Sequence, residues 1–262
     1  MSKIIQSLWI GRRLSELERL SIASFLTNGH EYHLYVYEDI ENAPKGTMLE
    51  AADKILPESM IFQYKRHPSY SGFSNFFRYR LLLQKGGWWV DTDVVCLKPF
   101  DFEDSYVFAS ERVDGGAVPT TAVIKAPPGS EVMAFSWHQC RGCPDPSDVV
   151  WGEHGPKLMA KAIAKFGLQA LIKEADTFCP LAYNEWETLL LPGDLAAFGE
   201  STRGIHLWNE MWRRGRRDKD ASYAPNCLYE RLKAIFLSQN SDQSRTDANG
   251  ETVSTSIQLH PS

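Results

Sequence analysis

The run GGWWVDTD at residues 86–93 constrains this chain more than any other segment, since an apolar stretch leaves a glycine turn and ends in two acids. Such a short apolar run, bounded by glycines, predicts a buried β-strand. Side chains two positions apart in an extended segment point the same way, so Asp91 and Asp93 should face one side together. Paired carboxylates suit a hard divalent cation that keeps open positions for a phosphate. The sequence therefore predicts a cation site at the end of a buried strand.

The twelve residues before these glycines predict a helix. Ser74 is the expected N-cap, and Gly86 is the expected stop at the C-terminal end. Asn75 and Arg78 are three residues apart and therefore share one helix face. Since the turn packs this helix against the strand, Arg78 should reach the acids or the oxygens of a bound ligand. An arginine that only pairs with Asp91 is the alternative.

Composition indicates one globular domain, predicted at residues 1–237, followed by a disordered polar tail at residues 238–262. The net charge of -5 argues against nucleic acid as the main partner. No apolar run reaches the roughly 18 residues of a membrane span. The five cysteines do not show the spacing of a disulfide framework, and the N-terminal residues resemble a strand and not a signal peptide. Together these two features predict a cytoplasmic setting.

The order of the predicted elements indicates the fold class. A strand at residues 4–10, a helix at 14–26 and a strand at 33–37 open an α/β fold with a mostly parallel sheet. Residues 176–215 lack a clear period and are expected to hold active-site loops. Further strands are predicted at 94–97, 106–110 and 121–125, and further helices at 48–56, 130–140, 156–166 and 226–237.

Four segments carry a resemblance to a known family. The central one, S-N-x-x-R-Y-x-x-L-x-x-x-G-G-x-W-x-D-T-D at residues 74–93, resembles the DXD sugar-binding region of family 32 glycosyltransferases. The glucosyltransferase domains of large clostridial toxins share this core. Three more segments are similar to family elements and come in family order over residues 4–212: the opening QSLWIG at 6–11, GPKL at 155–158 and IHLWNEMW at 205–212.

The resemblance implies a GT-A fold, a nucleotide-sugar donor, Mn²⁺ or Mg²⁺ as cofactor, and retention of the anomeric configuration. It also implies roles for individual side chains. Asp91 would contact the sugar or ribose, Asp93 would bind the metal, Arg78 would bind donor-sugar hydroxyls, Trp9 would stack on uracil, and His206 and Trp212 would contact metal or phosphate. Two positions depart from the family pattern: Asn75 replaces its usual aspartate in the donor site, and Met211 replaces a frequent serine.

The predicted function is that of a metal-dependent retaining hexosyltransferase. It would use a UDP-linked donor and act on a glycan or glycolipid acceptor, such as a surface polysaccharide. A nucleotide-sugar or glycan-binding module without activity is the alternative, and Asn75 favours it. A two-metal nucleotidyltransferase also uses paired aspartates, but it would need a third carboxylate and a Gly-Ser turn.

Two further features leave alternatives open. The basic run at 213–217 holds Arg213, Arg214, Arg216 and Arg217. It is either solvated charge or a contact for a phosphate-bearing acceptor or an anionic membrane surface. Trp88 and Trp89 alternate along the strand, so one should face the core and the other the donor side.

Overall fold

The computed structural model describes residues 3–193 and 198–238, so the predicted tail lies outside the described residues except for Ser238. Helices and strands alternate at the start of the chain, and four strands then follow one another between residues 87 and 126. In chain order the helices and strands are β1 (Ile4–Trp9), α1 (Glu16–Thr27), β2 (Glu31–Val36), β3 (Met48–Ala51), α2 (Ser71–Lys85), β4 (Gly87–Val90), β5 (Val94–Cys96), β6 (Val107–Val113), β7 (Gly116–Ala126), α3 (Glu131–Arg141), α4 (Leu158–Lys165), β8 (Gly204–His206), α5 (Asn209–Arg214) and α6 (Leu228–Phe236).

A six-stranded central sheet organises the described chain, with the strand order β3-β2-β1-β4-β7-β6. The pairings of β1 with β2, β1 with β4 and β2 with β3 are parallel, whereas β7 runs antiparallel to β4 and β6. The predicted α/β fold, with a mostly parallel sheet and flanking helices, is confirmed. A second sheet of two strands pairs β5 with β8 in antiparallel fashion. This small sheet brings residues near 94 and 206 together.

Two apolar clusters hold the layers together. Trp88 belongs to one cluster and packs against Phe100 and Phe102, with ring centroids 5.2 and 5.8 Å away. Trp89 belongs to the other cluster, with Phe77 at 6.3 Å. Neighbouring residues of β4 therefore point in opposite directions, as the alternation predicts. Among the described helices, none combines the length and apolar character needed to cross a membrane.

The start of α2 and the structure of residues 48–56 differ from the predictions. The helix begins at Ser71 with Tyr70 as its N-cap, and Ser74 lies inside it, where its hydroxyl accepts a hydrogen bond from Arg78. The predicted helix at 48–56 is wrong, because Met48–Ala51 pairs with β2 as an edge strand. Only the short 3₁₀ turn Ala52–Lys54 is helical there. Pairing along the sheet outweighs the local helix preference of these residues.

The glycine turn between α2 and β4 has a strict steric requirement. Gly86 has φ +63°, and a Cβ added there would lie 2.4 Å from the backbone nitrogen of Pro128. Gly115, in the hairpin between β6 and β7, also has a positive φ, of +88°, but an added Cβ would meet no atom within 4 Å. A substitution at Gly115 therefore tests the cost of backbone strain alone, whereas one at Gly86 adds the cost of a steric clash with Pro128.

Gly86→Ala should lower the free energy of unfolding by about 2–4 kcal/mol, since strain at positive φ and overpacking add. Gly115→Ala is the matched control and should cost only about 1 kcal/mol, from strain alone. Urea unfolding followed by circular dichroism measures both. Equal losses for the two variants would show that the approach of Pro128 to the turn is not a constraint.

Candidate active site

The two acids of the DXD segment lie on a turn between β4 and β5. The nitrogen of Val94 donates to the carbonyl of Asp91 at 3.1 Å. The segment is therefore a turn, whereas the sequence predicted an extended strand. Asp91 is anchored through its nitrogen to the carbonyl of Ala122 at 2.8 Å. The carbonyl of Asp93 accepts from the nitrogen of Leu207 at 2.8 Å. The turn, held from both sides by backbone hydrogen bonds, brings the carboxylates together.

The carboxylate of Asp93 accepts hydrogen bonds from β8 and from the residues just after it. Because Val94 lies opposite His206 in the small sheet, the imidazole Nε2 comes to 3.2 Å from Oδ2 of Asp93. The backbone nitrogen of Asn209 donates to the same oxygen at 2.8 Å. Burial acts to lower the pKa of His206, but the charge and hydrogen bond of Asp93 raise it well above its ordinary value. Burial likewise acts to raise the pKa of Asp93, and His206 outweighs it and holds that pKa low.

Asp91 is bound by Arg78 and Trp89. Nη2 of Arg78 lies 3.1 Å from Oδ1 of Asp91, and the indole Nε1 of Trp89 donates to the same oxygen at 2.8 Å. Arg78 also donates to the carbonyl and hydroxyl of Ser74 and to the carbonyl of Thr121. Burial raises the pKa of Asp91 above its ordinary value, opposed by Arg78 and reinforced by Asp93. Arg78 thus makes the pair with Asp91 that the alternative prediction described.

The acids and His206 form a group that fits a divalent cation. One ligand atom of each of Asp91, Asp93 and His206 lies within 4.8 Å of the others. The contacts described above use one oxygen of each carboxylate, which leaves the second oxygen of each for a ligand. Two carboxylates and an imidazole suit Mn²⁺, and carboxylates alone suit Mg²⁺. Three protein ligands would leave room for oxygens of a bound diphosphate.

A cavity of about 800 Å³ opens over this group, a size in the range that small-molecule ligands occupy. Six of the seven predicted site residues line it: Trp9, Asn75, Arg78, Asp91, Asp93 and His206. The side chain of Asn75 accepts a hydrogen bond from the hydroxyl of Thr121 at 3.4 Å. The buried Nε1 of Trp9 has no hydrogen-bond partner among the described residues. A buried donor without a partner costs about 1–3 kcal/mol.

Trp212, the seventh predicted residue, is placed elsewhere by the structure. Its ring is fully buried against Trp186 and Tyr229, and its Nε1 donates to the carbonyl of Leu207 at 2.8 Å. Of the two tryptophans in this segment, Trp208 lines the cavity, and its ring centroid lies 4.0 Å from that of His206. Trp208 adopts φ +59°, and this turn of the backbone separates the two tryptophans. The expected contact of Trp212 with metal or phosphate is therefore corrected.

Several residues that line the cavity were not predicted from the sequence, and two of them, Trp208 and Glu111, matter most for the site. Trp208 lies two positions after His206, within the segment already singled out, so its signal was present but was assigned to Trp212. Glu111 lies on β6 and lines the cavity as well. A single acid in an amphipathic strand resembles ordinary solvated charge, and no local pattern distinguishes it.

The start of the basic run contributes to the mouth of the cavity. Arg213 and Arg214 line it, and both guanidinium groups bind the carboxylate of Glu210, at 2.7 and 2.8 Å. Arg217 lies 3.8 Å from a carboxylate oxygen of Glu187. These pairs lower the positive charge that the run offers to an anionic surface. Membrane contact through the run stays a prediction.

Comparison with known proteins agrees with this geometry. Residues 15–112 match the family model described as "Glycosyltransferase sugar-binding region containing DXD motif". The chain is similar to the human alpha-1,4-N-acetylglucosaminyltransferase, with 21% identity over 184 residues, which cover 62% of this chain and 52% of that protein. The chain thus spans about half the length of the curated relative that it matches.

Two solved structures show a lower sequence identity to this chain. The PaToxG glycosyltransferase superposes with a TM-score of 0.46 at 16% identity, over 64% of this chain and 71% of that chain. The UDP-bound glycosyltransferase domain of the YGT toxin gives 0.40 at 11% identity, over 88% and 81%. The matched sequence region contains Arg78, Asp91 and Asp93, the residues that meet in the cavity. Over residues 15–112 the chain is therefore similar to the sugar-binding region, containing the DXD motif, of glycosyltransferases.

Proposed function

We propose that this domain transfers a hexose from a UDP-linked donor to a glycan or glycolipid acceptor, with Mn²⁺ or Mg²⁺ bound by Asp91, Asp93 and His206. The observation that carries the proposal is the meeting of these three side chains in one cavity with Trp9 and Arg78. Neither acid could bind a cation tightly alone. The diphosphate of the donor would complete the coordination, so donor and metal should bind interdependently.

The chemistry requires charge to be neutralised on the leaving group. Breaking the bond between sugar and diphosphate leaves negative charge on an oxygen, and groups oriented in advance stabilise it as it develops. A bound divalent cation supplies this stabilisation as a Lewis acid. Arg78 and Trp89 fix the orientation of Asp91, and the backbone nitrogen of Asn209 fixes that of Asp93. His206 would give up its hydrogen bond to Asp93, and its proton, to bind a cation. Both carboxylates are therefore oriented before a ligand binds.

Trp9 and Asn75 are proposed to contact the donor. Trp9 lies at the end of β1, beside the end of β4, and its partly exposed ring offers a stacking surface for uracil. Asn75 lies one helix turn before Arg78, and its amide can both donate and accept hydrogen bonds to sugar hydroxyls. Retention of configuration, the surface-polysaccharide acceptor and a cytoplasmic setting are proposed from the family resemblance and the composition.

A donor-hydrolysis panel tests the proposal. UDP-glucose, UDP-galactose, UDP-N-acetylglucosamine and GDP-mannose are incubated with the protein, and release of UDP or GDP is measured with Mn²⁺ and with EDTA. We expect hydrolysis of at least one UDP-sugar, with a loss of about 10²-fold or more on chelation that Mn²⁺ reverses. Turnover indifferent to EDTA would refute the metal role. Binding of a UDP-sugar without hydrolysis or transfer would instead favour the inactive binding module.

A further inference from the structure

Glu111 is a carboxylate in the cavity that the proposed donor site does not use. It lies near the end of β6, and among residues 3–193 and 198–238 no hydrogen bond or ion pair to its side chain is found. Burial raises the pKa of this carboxyl above its ordinary value. The charge of His206 acts on this carboxyl as well, and a partly buried carboxylate that the protein leaves without a hydrogen bond can accept one from a ligand in the cavity.

The neighbour of Glu111 holds a second cavity wall in place. The guanidinium of Arg112 donates to the carbonyl of Pro180 and to Asp176, and it lies 3.8 Å from the carboxylate of Glu185. These contacts tie the segment at 176–185 to β6. Tyr183 belongs to this segment, lines the cavity and is 46% exposed. Glu111 and Tyr183 are thus carried by two connected pieces of the same wall.

This wall adjoins the proposed metal site but comes from other elements. The ring of Tyr183 lies 6.4 Å from that of Trp208, which in turn lies 4.0 Å from that of His206. The proposed donor contacts, in contrast, come from β1, α2 and the turn after β4. The cavity therefore has a donor wall and a second wall, and both border the cation group.

The chemistry of the second wall indicates the class of ligand. A saccharide offers hydroxyl groups that donate to a carboxylate and a face of C–H groups that packs on an aromatic ring. Glu111 supplies the carboxylate, and the exposed ring of Tyr183 supplies the apolar surface. An acceptor carrying phosphate fits this wall less well, since Glu111 is acidic and the nearby Arg213 and Arg214 are bound to Glu210.

We propose that Glu111 and Tyr183 form an acceptor subsite for a neutral saccharide, in which Glu111 accepts a hydrogen bond from a sugar hydroxyl and Tyr183 packs on the ring. The inference rests on the proposed function, because the subsite matters only if the other wall holds a sugar donor. Both residues are binding and positioning groups. They set which hydroxyl is presented next to the donor.

Disaccharide binding in the presence of UDP and Mn²⁺ tests the subsite. Lactose, maltose and N,N′-diacetylchitobiose are titrated into the full chain, and saturation-transfer difference NMR follows binding. We expect the wild type to bind at least one of them. Glu111→Gln and Tyr183→Ala should each weaken that binding about tenfold or more, and Tyr183→Phe should retain it, because the ring is kept. Glu103→Gln, an exposed acid outside the cavity lining, is the matched control for Glu111→Gln.

UDP titration of the same variants separates this subsite from a general loss of structure. The UDP dissociation constant should change by less than about threefold in Glu111→Gln and Tyr183→Ala, a difference below 1 kcal/mol. The subsite is refuted if none of the three disaccharides binds to wild type, if both variants bind as wild type does, or if UDP and disaccharide affinity fall together. Failure of wild type to bind UDP or to hydrolyse any UDP-sugar would instead refute the proposed function.

Discussion

Replacing Asp93 by asparagine should lower metal-dependent donor hydrolysis about 10²–10³-fold, the usual cost of removing one group that stabilises charge in a transition state. The amide keeps an oxygen that can accept from the nitrogen of Asn209, so the turn should persist. It loses the negative charge that attracts a cation. The expected result is thus a folded protein with almost no turnover.

Two measurements accompany this variant. Thermal unfolding by circular dichroism should show a cooperative transition for Asp93→Asn, which establishes that lost turnover is not lost structure. Glu103→Gln, the same change of charge at an exposed position outside the cavity lining, should retain wild-type hydrolysis. Near-normal turnover of Asp93→Asn would contradict the metal role of Asp93.

Replacing Arg78 by methionine should have the largest effect on stability. The Arg78 side chain is 4% exposed and binds Asp91, Ser74 and the carbonyl of Thr121. Methionine fills similar space without charge, so Asp91 would keep a largely buried charge without its cationic partner. Removing one partner of a buried ion pair costs about 3–5 kcal/mol, and the partial exposure of Asp91 favours the lower end.

A double-mutant cycle identifies the source of this loss. If the uncompensated charge of Asp91 dominates, Asp91→Asn should offset part of the cost of Arg78→Met, and the double variant should unfold less readily than the sum of the single losses predicts. The expected coupling is about 1–3 kcal/mol in urea unfolding. If the losses in the free energy of unfolding of the two single variants simply add, Arg78 stabilises α2 and β7 independently of Asp91. Its charge would then be available to bind the donor sugar.

The sequence predicted the α2–β4 unit well because its signals are local. Gly86 ends the helix as expected, and the run after it forms the buried strand. The proximity of Asp91 to Arg78 followed from the short turn between their elements. The geometry of the acids did not follow, since a turn, and not an extended strand, brings them together. Turn formation there depends on hydrogen bonds to β7 and to the segment after β8, which lie far away in sequence.

The errors share this dependence on distant partners. Residues 48–51 have good helix formers, yet pairing with β2 makes them a strand. His206, Trp208 and Trp212 lie within seven residues, and the sequence pattern alone could not show which indole faces the cavity. The positive φ of Trp208 decides it. Glu111 enters the cavity only because β6 pairs with β7, which pairs in turn with β4.

Coupled binding of Mn²⁺ and UDP tests the central claim most directly. Electron paramagnetic resonance measures free Mn²⁺ during titration of wild type and Asp93→Asn, each with and without UDP. The account predicts weak binding by wild type alone, binding strengthened about tenfold or more by UDP, and loss of the strengthened binding in Asp93→Asn. Equal Mn²⁺ affinity of the two proteins in the presence of UDP would contradict it.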